Sequence, residues 1–238
     1  MEIIAVVDFE TTGMSPRLGA RATEIAVALV QGERIVGRYQ SLMRTGAWVP
    51  PFIERLTGIS NRMLEDAPPA PQVMREVAAF VGDSPMVAHN AAFDRGFWDA
   101  ELELAGTRAR GDEVAASFAC TLLLSRRLND EVPNHRLGTL AEWFDLPRAG
   151  RAHRAMADAE VTAHLLIRMQ RDVERRFADQ LSGDGATHGL LAALQRAPRK
   201  ALAKCVAQYR NGISSVARLD VPCDSPMPDP GQAAERLL

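Results

Sequence analysis

The chain has 238 residues, 47% hydrophobic and 24% charged, with a formal net charge of −2. That length suits one α/β domain with an appendage, and without a run of about 20 apolar residues no membrane helix is expected. Its cysteines, Cys120, Cys205 and Cys223, are odd in number and widely spaced, which excludes a disulfide framework or zinc pattern and suits a cytoplasmic setting.

The first predicted element is the β-branched run "IIAVVDF" beginning at Ile3, read as a buried central strand. No basic segment precedes it and Asp8 interrupts it, so it is not expected to act as a signal peptide. Strand side chains alternate, so Asp8 and Glu10 leave the same face, ~7 Å apart along the chain. Gly13 then ends the strand. Two such carboxylates repel each other unless a divalent cation lies between them; a solvated pair at a strand end is the plainer alternative.

Next, "ATEIAVALVQGERIVGRYQSLM" predicts a hairpin around Gly32, and "PQVMREVAAFVG" an amphipathic helix ending at Gly82. "MVAHN" reads as a short strand and "AAFDRGFWDAELELAG" as a helix with Phe93, Phe97 and Leu104 on its inward stripe. Asp94 falls in the first turn, where the positive helix end alone could account for it, and Asn90 is placed to cap that end. "SFACT" predicts another short strand and "LGTLAEWF" a helix.

Pro147 and Gly150 break the chain before a long helix on which Asp158, Val161, Leu165 and Met169 share one apolar stripe. A buried acid needs a partner, and no neighbour on that stripe is basic. His153 lies about 140° around an ideal helix from Asp158, so the two converge only if His153 sits in the preceding loop. There it would be placed as a general base; a lone surface histidine is the plainer alternative. Beyond residue 175, "DQLSGDGAT" reads as a linker. A basic helical extension follows at 187–212, parted at Ala197–Pro198; a docked extension with its basic face in solvent is preferred over one that holds phosphates. Residues 220–238 are proline-rich and expected to form a flexible tail.

"DFETTG", "HNAAFDRGF" and "HRAMADAE" resemble the three motifs of the DnaQ-like (DEDDh) 3′→5′ exonucleases, the family of the proofreading epsilon subunit of bacterial DNA polymerase III. "RLTGIS" and "RLGTLAEWFDLP" are also similar to family segments, so the resemblance spans about residues 1–172. One departure is Thr57, where the epsilon subunit carries histidine. The resemblance implies a ribonuclease H-like α/β fold, a mixed central sheet flanked by helices, over residues 1–175 with the C-terminal helical extension. It also implies release of nucleoside 5′-monophosphates from 3′ ends of DNA, with RNA an alternative substrate and a polymerase a candidate partner. A catalytically degenerate nucleic-acid-binding module is the further alternative, against which all five positions are filled. Two Mg²⁺ or Mn²⁺ ions are expected on Asp8, Glu10, Asp94 and Asp158, since oxygen ligands select hard cations. Asp8 is assigned to both ions, Glu10 and Asp158 to the one at the attacking water, Asp94 to the other, and His153 to the proton of that water. By the same resemblance Thr11, Gly13, Leu56, Thr57 and Phe97, with His153, contact the terminal nucleotides.

Overall fold

Strand β1, Ile3–Thr11, lies at the centre of the sheet, as its β-branched apolar composition requires. The structure, a computed structural model, describes residues 2–107, 118–148, 150–181 and 185–212. The expected tail at 220–238, with Cys223, lies outside the described residues.

β1 pairs antiparallel with β2, Ala22–Gln31, which turns through Gly32 at φ 58° into the antiparallel β3, Arg34–Leu42. Two short strands, β4 (Met86–Ala88) and β5 (Ala119–Cys120), extend the other side in parallel, giving the order β3-β2-β1-β4-β5. An excursion between β3 and β4 carries α1 (Pro51–Thr57), α2 (Asn61–Glu65) and α3 (Ala70–Val81). The parallel crossover after β4 is made by α4, Ala91–Leu104. Helices α5 (Thr121–Leu128), α6 (Leu137–Trp143) and the 22-residue α7 (Ala155–Arg176) follow.

The period-2 alternation of β1 sorts the core into two layers. Ile4 and Val6 face Leu124, Leu140, Leu165, Leu166 and Met169 of α5, α6 and α7. Ala5, Val7 and Phe9 face Val73, Met74, Val77, Phe97 and Trp98 of α3 and α4. The architecture is therefore the mixed sheet flanked by helices expected from the sequence.

Two details differ. Leu104 is 58% exposed rather than inward-facing. The buried stripe of α4 runs through Asp94, Trp98 and Glu101, about 100° around the helix from Leu104. The C-terminal segment forms α8 (Ala178–Leu181), α9 (His188–Leu194) and α10 (Leu202–Arg210), with a 3₁₀ turn at Arg199–Ala201 before α10. Leu190, Leu191, Leu194, Leu202 and Val206 join the core of α7, while Arg196, Arg199, Lys200, Lys204 and Arg210 are exposed. Gln195 bonds the N–H of Cys120 at 2.6 Å and the carbonyl of Phe118 at 3.1 Å, so a side-chain amide closes the edge that β5 would otherwise leave open.

Candidate active site

Asp8 and Glu10 continue the row of Ile4 and Val6, so the same alternation that buries those two aims both carboxylates at the α7 side. Ala26 stands opposite Asp8 in the β1–β2 register, and it packs with Ala155 and Ala159 of α7. Three methyl side chains at the crossing let the start of α7 approach the sheet closely. Asp158 lies in that first turn.

Asp94 arrives from the opposite layer. The β1–β4 ladder ends at Val6–Val87, leaving the next part of β1 without a strand on that side. The freed N–H of Phe9 donates to Asp94 Oδ1 at 3.1 Å, which anchors this carboxylate to the residue that separates Asp8 from Glu10 in β1. His153 lies in the loop before α7, as expected, with φ 60°. A left-handed backbone is uncommon for a residue with a Cβ. Its N–H donates to Asp158 Oδ2 at 3.1 Å. Ligand atoms of Glu10, His153 and Asp158 all lie within 4.8 Å of one another. Glu10, His153 and Asp158 thus form one cluster, and Asp8 and Asp94 lie near enough to act on its charges.

Their electrostatics call for cations. Burial holds Asp8 well above the usual carboxylate range, and Asp94, Asp158, Glu10 and Glu24 add to the shift. Burial also pushes Glu10 up to about 8, helped by Asp158, Glu24 and Asp94 and opposed by Arg154. Asp94 is likewise raised to about 8 by burial, against the Phe9 N–H, and Asp158 is raised by burial against the His153 N–H. Among the described residues no lysine or arginine pairs directly with any of the four. Clustered buried carboxylates with oxygen-only ligands fit divalent metal ions of the hard class.

A stability prediction follows from the sign of these shifts. An acid near 4 in the unfolded chain and about 8 in the fold contributes stability that is intact below pH ~4 and lost as pH climbs through 8. Divalent ions binding only the folded state offset that loss. The rise in Tm on adding Mn²⁺ should therefore be larger at pH 8 than at pH 5, measured by thermal unfolding. An equal rise at both values would contradict it.

Two buried ion pairs supporting the site were not anticipated from sequence. Glu24, opposite Glu10 and only 1% exposed, accepts from Arg154 Nη2 at 2.7 Å and Nε at 3.1 Å, from the Ala155 N–H at 3.0 Å and from Gln40 at 2.8 Å. Burial alone would raise Glu24, yet the Arg154 fork, the Ala155 N–H and the Gln40 amide bring it below the usual range. This pair fixes the residue after His153 to β2. Glu101 similarly takes both Arg21 nitrogens at 2.9 Å and the Ala22 N–H at 3.0 Å, pinning α4 to the start of β2. One signal was available: an acid inside the otherwise apolar "ATEIAVALV" needs a partner. Arg154→Ala strands that acid and should destabilise the fold by about 2–3 kcal/mol, read by denaturant unfolding; a change within ±0.5 kcal/mol, typical of surface substitutions, would contradict the role of the pair.

The expected substrate contacts divide. Thr11 and Gly13 follow Glu10 directly, and the Thr11 hydroxyl donates to the Gly13 carbonyl at 2.7 Å. Leu56 is half-buried near the end of α1. The other two are corrected. Phe97 is fully buried against Phe9 and Phe93, closing its ring to any base. Thr57 is 1% exposed, and its hydroxyl bonds the Ile53 carbonyl and the Ile59 N–H, so it finishes α1 instead of meeting substrate.

The exonuclease family model RNase_T matches residues 5–166. The chain is 35% identical over 222 residues to the PolC-type DNA polymerase III of Halalkalibacterium halodurans, covering 90% of this chain and 14% of that protein. It is 37% identical over 162 residues to the 3′-5′ exonuclease DinG of Bacillus subtilis, covering 68% of this chain and 17% of that relative. The chain therefore spans under a fifth of the length of either. Among solved structures, exonuclease X in complex with 5′ overhanging duplex DNA superposes with a TM-score of 0.59 at 25% identity, covering 81% of this chain and 99% of that one. The nuclease domain of 3′hExo, a DEDDh family member bound to rAMP, gives a TM-score of 0.61 at 21% identity over 72% of this chain and 92% of that one. The fold is ribonuclease H-like, as these DEDDh exonuclease structures are.

Proposed function

Because the chain belongs to the RNase_T exonuclease family, we propose that it removes nucleotides one at a time from 3′ ends of DNA, releasing nucleoside 5′-monophosphates, in proofreading or repair. The observation that carries this reading is the convergence of Asp8, Glu10, Asp94, Asp158 and His153 from three separate segments. A purely structural cluster of acids would be paired with arginines, as Glu24 and Glu101 are.

In this reading the four carboxylates would hold two Mg²⁺ or Mn²⁺ ions. When bound, such ions supply positive charge that offsets charge building on the attacking and leaving oxygens. His153 accepts a proton as a water oxygen attacks phosphorus, the bond to the 3′ oxygen breaks, and that oxygen takes a proton from solvent to become the new 3′-hydroxyl. Asp158 holds the loop through the His153 N–H, and Arg154 on Glu24 fixes the next residue, so the imidazole meets substrate in one orientation. His89 has a different task. It is pushed down to about 4 by burial, and its Nε2 faces the His135 carbonyl at 3.0 Å while Nδ1 faces Thr121 at 2.9 Å, which fixes β4 to α5.

A polymerase partner and a cytoplasmic setting belong to the same reading, resting on the likeness to PolC-type polymerases. No helix among the described residues is long and apolar enough to cross a membrane. The test is nucleotide release from matched 5′-labelled DNA and RNA strands, with and without Mg²⁺. Metal-dependent 5′-monophosphate release, faster on DNA, is expected. Faster cleavage of RNA would reassign the substrate, and absence of release from both would overturn the reading.

A further inference from the structure

With Phe97 closed, the aromatic surface open to solvent beside the site lies elsewhere. Among the described aromatic side chains only Trp48, Phe52 and Trp143 are exposed, at 65%, 54% and 50%. Two of the three fall within five residues of each other, in the excursion that carries α1 and α2. Chain geometry keeps the Cα atoms of Trp48 and Phe52 within ~14 Å.

These rings stand on a rigid base. Val49, Ile53, Ile59 and Leu64 form a small core of their own beneath them. The Asn61 side chain grips the Val49 backbone from both sides, accepting its N–H at 2.7 Å and donating to its carbonyl at 3.0 Å. Trp48 is therefore held by its backbone while its indole remains in water. Rings as large as these, left exposed on a fixed scaffold, mark an interaction surface.

The charge around them narrows the partner. Arg44, Arg55 and Arg62 are exposed and form no ion pair with a carboxylate among the described residues, although Glu54, Glu65 and Asp66 lie in the same stretch. Arg55 is three residues after Phe52 and Leu56 four, so all three share one side of α1. The surface is also joined to the catalytic loop. Arg151, two residues before His153, donates through Nη2 to the carbonyls of Arg55 at 3.1 Å and Leu56 at 3.4 Å. Gly58 makes room for it, since a Cβ there would lie 2.9 Å from Arg151 Nη1.

We propose that this face is the track on which single-stranded nucleic acid lies 5′ of the bond being cut, with bases stacked on Trp48 and Phe52 and phosphates met by Arg55, Arg62 and Arg151. The proposal rests on the nuclease reading above and extends it away from the carboxylates. Aromatic rings interleaved with unpaired arginines form a sequence-tolerant strand platform, whereas a protein partner would not require the unpaired positive charge.

The test uses the full chain, Ca²⁺, and 5′-fluorescein oligothymidylates blocked at the 3′ linkage by phosphorothioate, read by anisotropy. Wild type should bind a 12-mer more tightly than a 2-mer. Trp48→Ala and Phe52→Ala should each weaken 12-mer binding about tenfold and 2-mer binding much less, while Trp48→Phe keeps most of the affinity. Unchanged 12-mer binding would overturn the proposal and leave the patch to a protein partner. Equal losses at both lengths would overturn it too, as a defect of folding. No turnover enters this readout, so failure of the nuclease reading appears separately, as absent nucleotide release by wild type.

Discussion

Replacing His153 by glycine should lower kcat at least ~10²-fold while leaving Tm unchanged or raised. The two halves of this result have separate causes. The imidazole lies among the ligand atoms of Glu10 and Asp158, where it can take a proton from an attacking water. The backbone beneath it sits at φ 60°, a conformation that costs ~1 kcal/mol with a Cβ and little without one. A residue retained for folding alone would be better as glycine. His153→Ala should lose the same activity without the gain in Tm. Steady-state kinetics and calorimetry on the two variants decide the matter. Near-wild-type turnover in either would remove His153 from the chemistry.

Asp8→Asn should abolish measurable activity and yet make the metal-free protein more stable at pH 8. Asp8 is the carboxylate most opposed by its surroundings, through burial first and then through Asp94, Asp158, Glu10 and Glu24. Asparagine keeps the shape and discards the repulsion. The same substitution should shrink the Tm gain on adding Mn²⁺, because one of the four carboxylates that would hold the ions has lost its charge. Loss of activity with a fall in metal-free Tm would instead make Asp8 a structural residue. The expected exchange of stability for activity follows from building a charge cluster that only cations neutralise.

The sequence made the site more legible than its supports. Asp8 and Glu10 could be placed on one face because strand periodicity is local, and His153 in a loop because Pro147 and Gly150 break the chain. The Glu24–Arg154 pair spans 130 residues and depends on the β1–β2 register and on where α7 crosses β2. No local pattern encodes either. Phe97 and Thr57 show the same limit from the other side. Their proximity to the motifs was evident, but the Phe97 ring turns in against Phe9, and the Thr57 hydroxyl turns in to the Ile53 carbonyl and the Ile59 N–H. Asn90 was legible as the residue before α4, yet it sits at φ 66° and makes no side-chain cap bond. The extension at 187–212 stood out by its basic composition, and which surface it docks on was not readable from it. Its apolar residues share the core of α7, and Gln195 completes the edge of β5.

The central claim is that Asp8, Glu10, Asp94 and Asp158 exist to hold cations. Anomalous diffraction from crystals soaked in Mn²⁺ tests it most directly. Two manganese peaks bounded by these four carboxylates, with His153 facing them, are expected. A cluster without manganese, its acids protonated or turned onto arginines, would contradict the account.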